Sequence, residues 1–180
     1  ALTSSDGNVA IGYQAATDIT TGDNSVYVGY HAGYNATTAS TNIFVGYQAA
    51  GLGVVTGGTN VAVGAQSLYD LTSGTQNIAM GYRAGYNLTT AAGNTILGTQ
   101  AVGTGVLTGA NNVVIGKLAG DNMTSADANV IIGEDAGTAQ TTADNNVLIG
   151  QGAGEAITTG GDNIFIGTAS GDGHDAETNN

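Results

Sequence analysis

Apolar triplets recur along the chain at a nearly constant interval. The stretch NVAIGYQAA at residues 8–16 returns as NIFVGYQAA at residues 42–50, and a glycine closes each copy. Ten such glycines are present: Gly12, Gly29, Gly46, Gly64, Gly81, Gly98, Gly116, Gly133, Gly150 and Gly167. Their spacing of 17 or 18 residues is too short for a helical hairpin repeat. The pattern therefore predicts an all-β chain, a parallel β-solenoid (β-roll) of about ten 17–18-residue turns over residues 1–180.

Alternation within each triplet predicts which side chains face the interior. The first and third positions, such as Val9 and Ile11, are almost always aliphatic, and side chains two apart along a strand share a face. We therefore expect these two columns inside and the middle column outside. The middle column is also apolar, and a monomer rarely exposes such a patch, so it predicts a subunit interface. The residues assigned to this interface are Ala10, Tyr27, Phe44, Ile96, Val114, Ile131, Leu148 and Phe165.

Two further columns indicate how the turns stack. Asn stands four residues before the glycine in nine of the ten turns, and Ser25 is the exception. Stacked asparagine amides form hydrogen-bonded ladders between successive turns of β-structure. Ala or Ser stands three residues after every glycine, which is typical of a narrow corner where the coil folds back.

Composition excludes several classes of partner. The chain has 31 Gly, no Pro and no Cys, and its net charge is −12 from 2 basic and 14 acidic residues. Nucleic acid and anionic membrane surfaces would be repelled by this charge. The apolar runs are too short for insertion into a membrane. The repeats begin and end without polar caps, so we interpret the single domain as an excerpt of a longer fibre.

The repeat unit resembles known surface proteins. The pattern N-[VI]-x-[IV]-G-x-x-A, as in NVAIGYQA at residues 8–15, is similar to the head repeats of trimeric autotransporter adhesins of the YadA type. The turn GYxAGYNxTT at residues 29–38 and 81–90 is similar to repetitive tail-fibre proteins of tailed bacteriophages. This resemblance implies a left-handed coil, a parallel homotrimer and an extracellular position on a virion tail or cell surface. It also implies attachment to a glycan or protein receptor.

The function expected from these features is that of a non-enzymatic fibre segment, with three alternatives. The first is a filament or matrix subunit that stacks end to end, because uncapped solenoid ends associate readily. The second is an ice-binding solenoid, suggested by threonine pairs such as Thr20-Thr21 and Thr89-Thr90. The third is a polysaccharide-cleaving enzyme that uses Glu134 and Asp135, although a solvated turn also accounts for these two acids. His31 and His174 are the chain's histidines, and neither belongs to a repeated catalytic set.

Tyrosines are the candidate ligand-binding residues. All of them lie in residues 1–90 and recur at fixed positions of the turn. One interpretation is an aromatic strip that binds a receptor, since tyrosine combines a rigid apolar ring with a polar tip. The other is a structural ladder of stacked rings. The candidates are Tyr13, Tyr30, Tyr34, Tyr47, Tyr69, Tyr82 and Tyr86.

Two further features concern modification and metal binding. Asn35, Asn87 and Asn122 each match the N-glycosylation acceptor pattern at a predicted surface turn. Aspartate and asparagine before the strands suggest Ca²⁺ between turns, but these are also ordinary turn residues. The glycine-rich nonapeptide of calcium β-rolls is absent. We therefore expect no cofactor, with structural Ca²⁺ as the alternative.

Overall fold

The structure is a computed structural model that describes residues 5–172. These residues form ten parallel strands of three residues each and no helix. The strands stack in chain order in a single sheet, so each turn of the chain contributes one strand. They are β1 (Val9–Ile11), β2 (Val26–Val28), β3 (Ile43–Val45), β4 (Val61–Val63), β5 (Ile78–Met80), β6 (Thr95–Leu97), β7 (Val113–Ile115), β8 (Val130–Ile132), β9 (Val147–Ile149) and β10 (Ile164–Ile166). The fold is a β-solenoid, as the repeat spacing predicts.

Neighbouring strands pair in the same register throughout the sheet. Each first, middle and third residue lies beside its counterpart in the next turn. This register is kept between β3 and β4 and between β6 and β7, where the turn has 18 residues. The extra residue is therefore accommodated in the loops, and the side-chain columns stay straight along the whole sheet.

Glycine closes each strand because the next turn lies too close for a side chain. Gly98 has a φ of 137°, and a Cβ atom added there would overlap the carbonyl oxygen of Gly116. The obstacle is backbone, which cannot move aside, and the positive φ is itself unfavourable for any residue with a Cβ. The glycine column is therefore required by the close stacking of the turns.

The middle position of each strand lines the interior, so the predicted orientation of the triplet is wrong. The first and third positions are partly or largely exposed in every strand. Of the residues assigned to a subunit interface, the buried ones are Tyr27, Phe44, Ile96, Val114, Ile131, Leu148 and Phe165. Ala10 is exposed in the outermost strand but belongs to the same column. These side chains form the core of one chain and do not provide an outward interface.

The interior admits one strand residue per turn because the loops also fill it. Ile19, Leu71 and Leu88 from the loops are fully or almost fully buried beside the middle column. Large and small side chains compensate for one another across this core. A Cβ atom on Gly33 would overlap the ring of Tyr27, so a large middle residue is matched by a glycine in the loop. A strand with two inward side chains would not fit the same interior.

The corner and asparagine columns form as predicted. The corner alanines from Ala32 to Ala153 are fully buried. In the asparagine ladder, the backbone N–H of Asn112 donates to Oδ1 of Asn94 at 2.9 Å, and the Asn112 amide donates to the Ala126 carbonyl at 2.7 Å. Ser25 takes the place of asparagine in its turn, and its Oγ accepts the N–H of Asn42 at 3.0 Å. The ladder therefore satisfies buried backbone groups at successive turns.

Candidate functional site

The first and third positions of the ten strands form a continuous apolar surface, here called the strand face. Nineteen of its twenty side chains are Val, Ile, Leu or Met, Thr95 is the other, and none is charged. The exposed fraction is 38% at Ile78 in the middle of the sheet and 66% at Ile166 in the last strand. With strands about 4.8 Å apart, the face extends roughly 43 Å. Sequence reasoning placed these residues in the core, because all three triplet positions are apolar and alternation does not tell inside from outside.

Tyrosines form a stacked column beside the strand ends. The ring centroids of Tyr13 and Tyr30 lie 5.3 Å apart, those of Tyr30 and Tyr47 lie 5.4 Å apart, and the rings are nearly parallel. Tyr69 and Tyr86 form a second stack at 4.9 Å. Each ring of a stack packs on the face of its neighbour. The structural-ladder interpretation therefore accounts for these contacts without a ligand.

His31 belongs to the first aromatic stack. Its ring lies 4.0 Å from the centroid of Tyr30 and 4.6 Å from that of Tyr34. Its Nε2 is 2.7 Å from Oε1 of Gln14 in the preceding turn. These contacts place His31 and Tyr34 in one aromatic cluster, whereas His174 lies outside the described residues.

Arg83 contacts the last candidate tyrosine, Tyr82, together with Tyr86 of the second stack. Its guanidinium carbon lies 5.3 Å from the centroid of Tyr82 and 4.9 Å from that of Tyr86, which are cation–π distances. The Arg83 Nε donates to Oε1 of Gln66 at 2.9 Å, and the Gln66 amide donates to Oε1 of Gln48 at 3.2 Å. Arg83 is half-buried, and Tyr82 is 47% exposed. Sequence analysis did not single out Arg83, because only the fold brings these side chains together.

The candidate acids are on a solvated turn. Glu134 forms an exposed ion pair with Lys117 at 2.9 Å, and its hydrogen bond and charge raise the pKa of Lys117. The neighbouring Asp135 donates its backbone N–H to the Lys117 carbonyl at 3.0 Å. The described residues contain no surface pocket and no group of three or more His, Cys, Asp or Glu that could hold a metal ion.

Threonine hydroxyls bind the backbone of the adjoining turn. The first threonine of several pairs donates to a carbonyl oxygen 17 residues later at 3.0–3.1 Å, as seen for Thr20, Thr72, Thr124 and Thr141. The second residue of each pair, such as Thr90, is exposed. Hydroxyl-to-backbone bonding therefore accounts for the first threonine of these four pairs without an ice surface.

The candidate glycosylation sites lie at the surface of the coil. Asn122 is exposed, whereas Asn35 and Asn87 are half-buried. Each side-chain amide donates to a carbonyl of the following turn, at 2.7 Å from Asn35 and 2.9 Å from Asn87 and Asn122. These asparagines therefore have a structural role in linking turns, whether or not they carry sugar.

Comparisons with known proteins add no relatives. No protein-family model, curated protein or solved structure matches the chain. Among the described residues, no helix has the length and hydrophobicity needed to cross a membrane.

Proposed function

We propose that the chain is a segment of a non-enzymatic, extracellular attachment fibre in which parallel copies pack through their strand faces. The observation that carries this proposal is the exposure of the uncharged strand face over ten turns. Continuous apolar surfaces of this length mark interaction sites in soluble proteins, since leaving them in water is unfavourable.

A second copy of the chain is the partner that fits this face. Its columns repeat every turn, at about 4.8 Å, along the full length of the sheet. A partner that packs against every turn needs side chains at the same spacing, and another copy of the chain has them. The resemblance to YadA-type heads and phage tail fibres favours three parallel copies around one axis, each with its strand face inward.

Such a rod would act by presenting the same surface several times. The tyrosine stacks and loops lie outside the strand face, so they remain accessible when the copies pack. Identical weak sites on a stiff rod bind a repetitive host surface with an avidity far above that of one site. We propose a host-surface glycan or protein as the receptor and a virion tail or cell surface as the location.

Light scattering after size-exclusion chromatography tests this assembly. We expect a fixed mass of three times the 17.6 kDa of one chain over a range of protein concentrations. Replacing Ile78→Glu and Met80→Glu together puts two charges on the strand face. Both side chains are already solvent-exposed in the single chain, so the variant should fold and yet run as a monomer.

The matched control places the same two charges elsewhere. Ser73→Glu and Thr90→Glu alter exposed polar residues outside the strands in the adjacent loops. This variant should keep the trimer mass, and far-ultraviolet circular dichroism should show the same fold in all three proteins. A monomeric wild-type chain, or a trimer that survives both strand-face glutamates, would show that the copies do not pack through this face.

A filament subunit is the second candidate function. The strands form one continuous parallel stack, and solenoid ends with unpaired strand edges can associate end to end. Growth of the mass without limit as concentration rises would favour this function over the closed trimer.

A further inference from the structure

Arg83 is held in one orientation by its neighbours. Its Nε is used by Gln66, and its guanidinium group rests against Tyr82 and Tyr86. The two terminal nitrogens of the group make no hydrogen bond to the described residues. A planar guanidinium fork fixed in this way loses little conformational freedom when it binds a two-oxygen anion.

No carboxylate of residues 5–172 forms an ion pair with Arg83. The chain has 14 acidic residues and two cations, and the other cation, Lys117, is paired with Glu134. Within residues 5–172, that pair is the one ion pair present. Arg83 is therefore a positive group without an ionic partner among these residues, in a strongly negative chain.

The aromatic column is interrupted beside Arg83. Ala65 occupies the position that Tyr47 holds one turn earlier and Tyr82 holds one turn later. Among the described residues, Tyr47 stacks on Tyr30 alone, so its face towards Ala65 has no ring partner. Tyr47 is 52% exposed. An exposed tyrosine ring with no ring partner on one face offers a surface on which the C–H groups of a sugar ring can pack.

We propose that Arg83, Tyr47 and Tyr82 bind an anionic saccharide, with its acidic group on the guanidinium fork and its ring at the Ala65 gap. The gap spans two turns, about 9.6 Å, which is the scale of one monosaccharide. The site is shallow, and binding would be strengthened by its repetition on each copy of the assembly. The inference rests on the proposed attachment function, because it specifies the chemistry of the receptor.

A pair of sugars that differ in one group tests the site. Methyl β-glucuronide carries a carboxylate where methyl β-glucoside carries a hydroxymethyl group. Titrations of both followed by NMR should show the glucuronide binding about tenfold more tightly or better, since a charge-assisted hydrogen-bonded pair is gained. Equal affinities, or no detectable binding of either sugar, would overturn the proposal.

Two variants separate the site from the net charge of the rod. Arg83 has a φ of 55°, and Gln14, Gln48, Gln66 and Gln100 occupy the same position with φ of 51–57°. Arg83→Gln should therefore fold, and it should abolish the preference for the glucuronide. Lys117→Gln removes one positive charge elsewhere and should leave that preference unchanged. Loss of the preference in both variants would reject a specific site at Arg83.

Measuring the mass of the same samples by light scattering distinguishes failure of the Arg83 site from failure of the fibre proposal. A fixed trimer mass without glucuronide preference would reject the Arg83 site and leave the assembly intact. Preference for the glucuronide in a monomeric wild-type chain would support the site and reject the assembly. Tyr47→Ala places at residue 47 the alanine that stands at Ala65. If the Tyr47 ring packs against the sugar at the gap, this variant should bind both sugars more weakly.

Discussion

Burial affects the carboxyl group of Asp70, which is half-buried. Desolvation raises the pKa of its carboxyl group above the ordinary value of 3.8. In other turns the corresponding position holds Asn35, Asn87 or Asn122, whose amides donate to the next turn. A carboxylate cannot donate such a bond and loses hydration on folding. Asp70 is therefore a residue at which the chain departs from its own stabilising pattern.

Asp70→Asn should stabilise the folded chain at neutral pH. The amide would restore the turn-to-turn hydrogen bond, for a gain of about 0.5–1 kcal/mol. A second part of the gain depends on pH. Because the folded-state pKa of Asp70 is raised, its ionisation opposes folding above that pKa and has no effect below the unfolded pKa. The advantage of the variant over wild type should therefore shrink as pH falls from 7 to 3 in urea unfolding experiments.

Asp18→Asn is the matched control for this prediction. Asp18 holds the same position in the first turn but is exposed. Both proteins should be made in a host that does not glycosylate asparagine, because each substitution creates an acceptor pattern. If the two variants show the same change between pH 7 and pH 3, burial of Asp70 is not the cause.

At the scale of the structural element, the asparagine ladder should contribute more than any one of its hydrogen bonds. Asn112 donates to Asn94 and Ala126, and its Oδ1 accepts both the backbone N–H and the amide of Asn129. All of these groups are buried. Replacing Asn112 by Ala would leave the Ala126 carbonyl and the backbone N–H of Asn129 without partners, and each buried unsatisfied group costs about 1–3 kcal/mol.

Asn112→Ala should therefore destabilise the chain by roughly 3 kcal/mol or more in urea unfolding. Asn112→Ser should cost clearly less, because Ser25 shows that a hydroxyl can accept the next N–H at this position. Equal losses in the two variants would indicate that the cost arises from the cavity rather than from the hydrogen bonds. The comparison thus separates the polar ladder from packing.

The stack of turns was predictable from sequence, whereas the direction of the strand side chains was not. The glycine, asparagine and alanine columns each meet one physical requirement of this fold. Their spacing in the sequence therefore indicates the repeat length and the positions of the strands. In Val113–Ile115, by contrast, all three side chains are apolar, and either alternation satisfies the pattern. Variation in side-chain size distinguishes the middle column from the first and third columns. The middle column varies from Ala62 to Tyr27 because loop residues compensate for it in the core.

The Arg83 site could not be predicted from the sequence alone, for a different reason. Tyr47 and Arg83 are 36 positions apart in the chain, and Gln66 connects their turns through its side chain. Periodicity aligns Tyr47 with Ala65 and Tyr82, which suggests the gap. It does not show that the guanidinium group turns back towards Gln66, because that direction depends on side-chain contacts with Tyr82 and Tyr86.

At the scale of the whole molecule, charge is distributed unevenly along the rod. Residues 1–90 carry four acids and Arg83, for a net charge of −3, whereas residues 91–180 carry ten acids and Lys117, for a net charge of −9. Parallel packing places the strongly acidic halves of all copies side by side. Antiparallel packing would place each acidic half beside a weakly charged one. The two arrangements therefore differ in their electrostatic repulsion.

Assembly of parallel copies should strengthen as salt is added. The Debye length falls from roughly 20 Å at about 20 mM salt to roughly 4 Å at about 500 mM, which screens repulsion between the acidic halves. At protein concentrations low enough for the trimer to dissociate, we expect light scattering to show tighter association at the higher salt concentration. Glu155→Gln, which removes an exposed charge in the acidic half, should reduce this salt dependence more than Asp18→Asn does in the other half.

Distances between spin labels show whether the copies pack parallel or antiparallel, independently of charge. The chain has no cysteine, so a single cysteine at Thr21 or at Thr159, both exposed, can be labelled without interference. These positions are eight turns apart, about 38 Å along the rod. Parallel copies should give short distances between identical labels at either position. Long distances between identical labels, with short ones appearing only when the two labelled proteins are mixed, would establish antiparallel packing. In that case each acidic half lies beside a weakly charged one, and Asp18→Asn should reduce the salt dependence more than Glu155→Gln does.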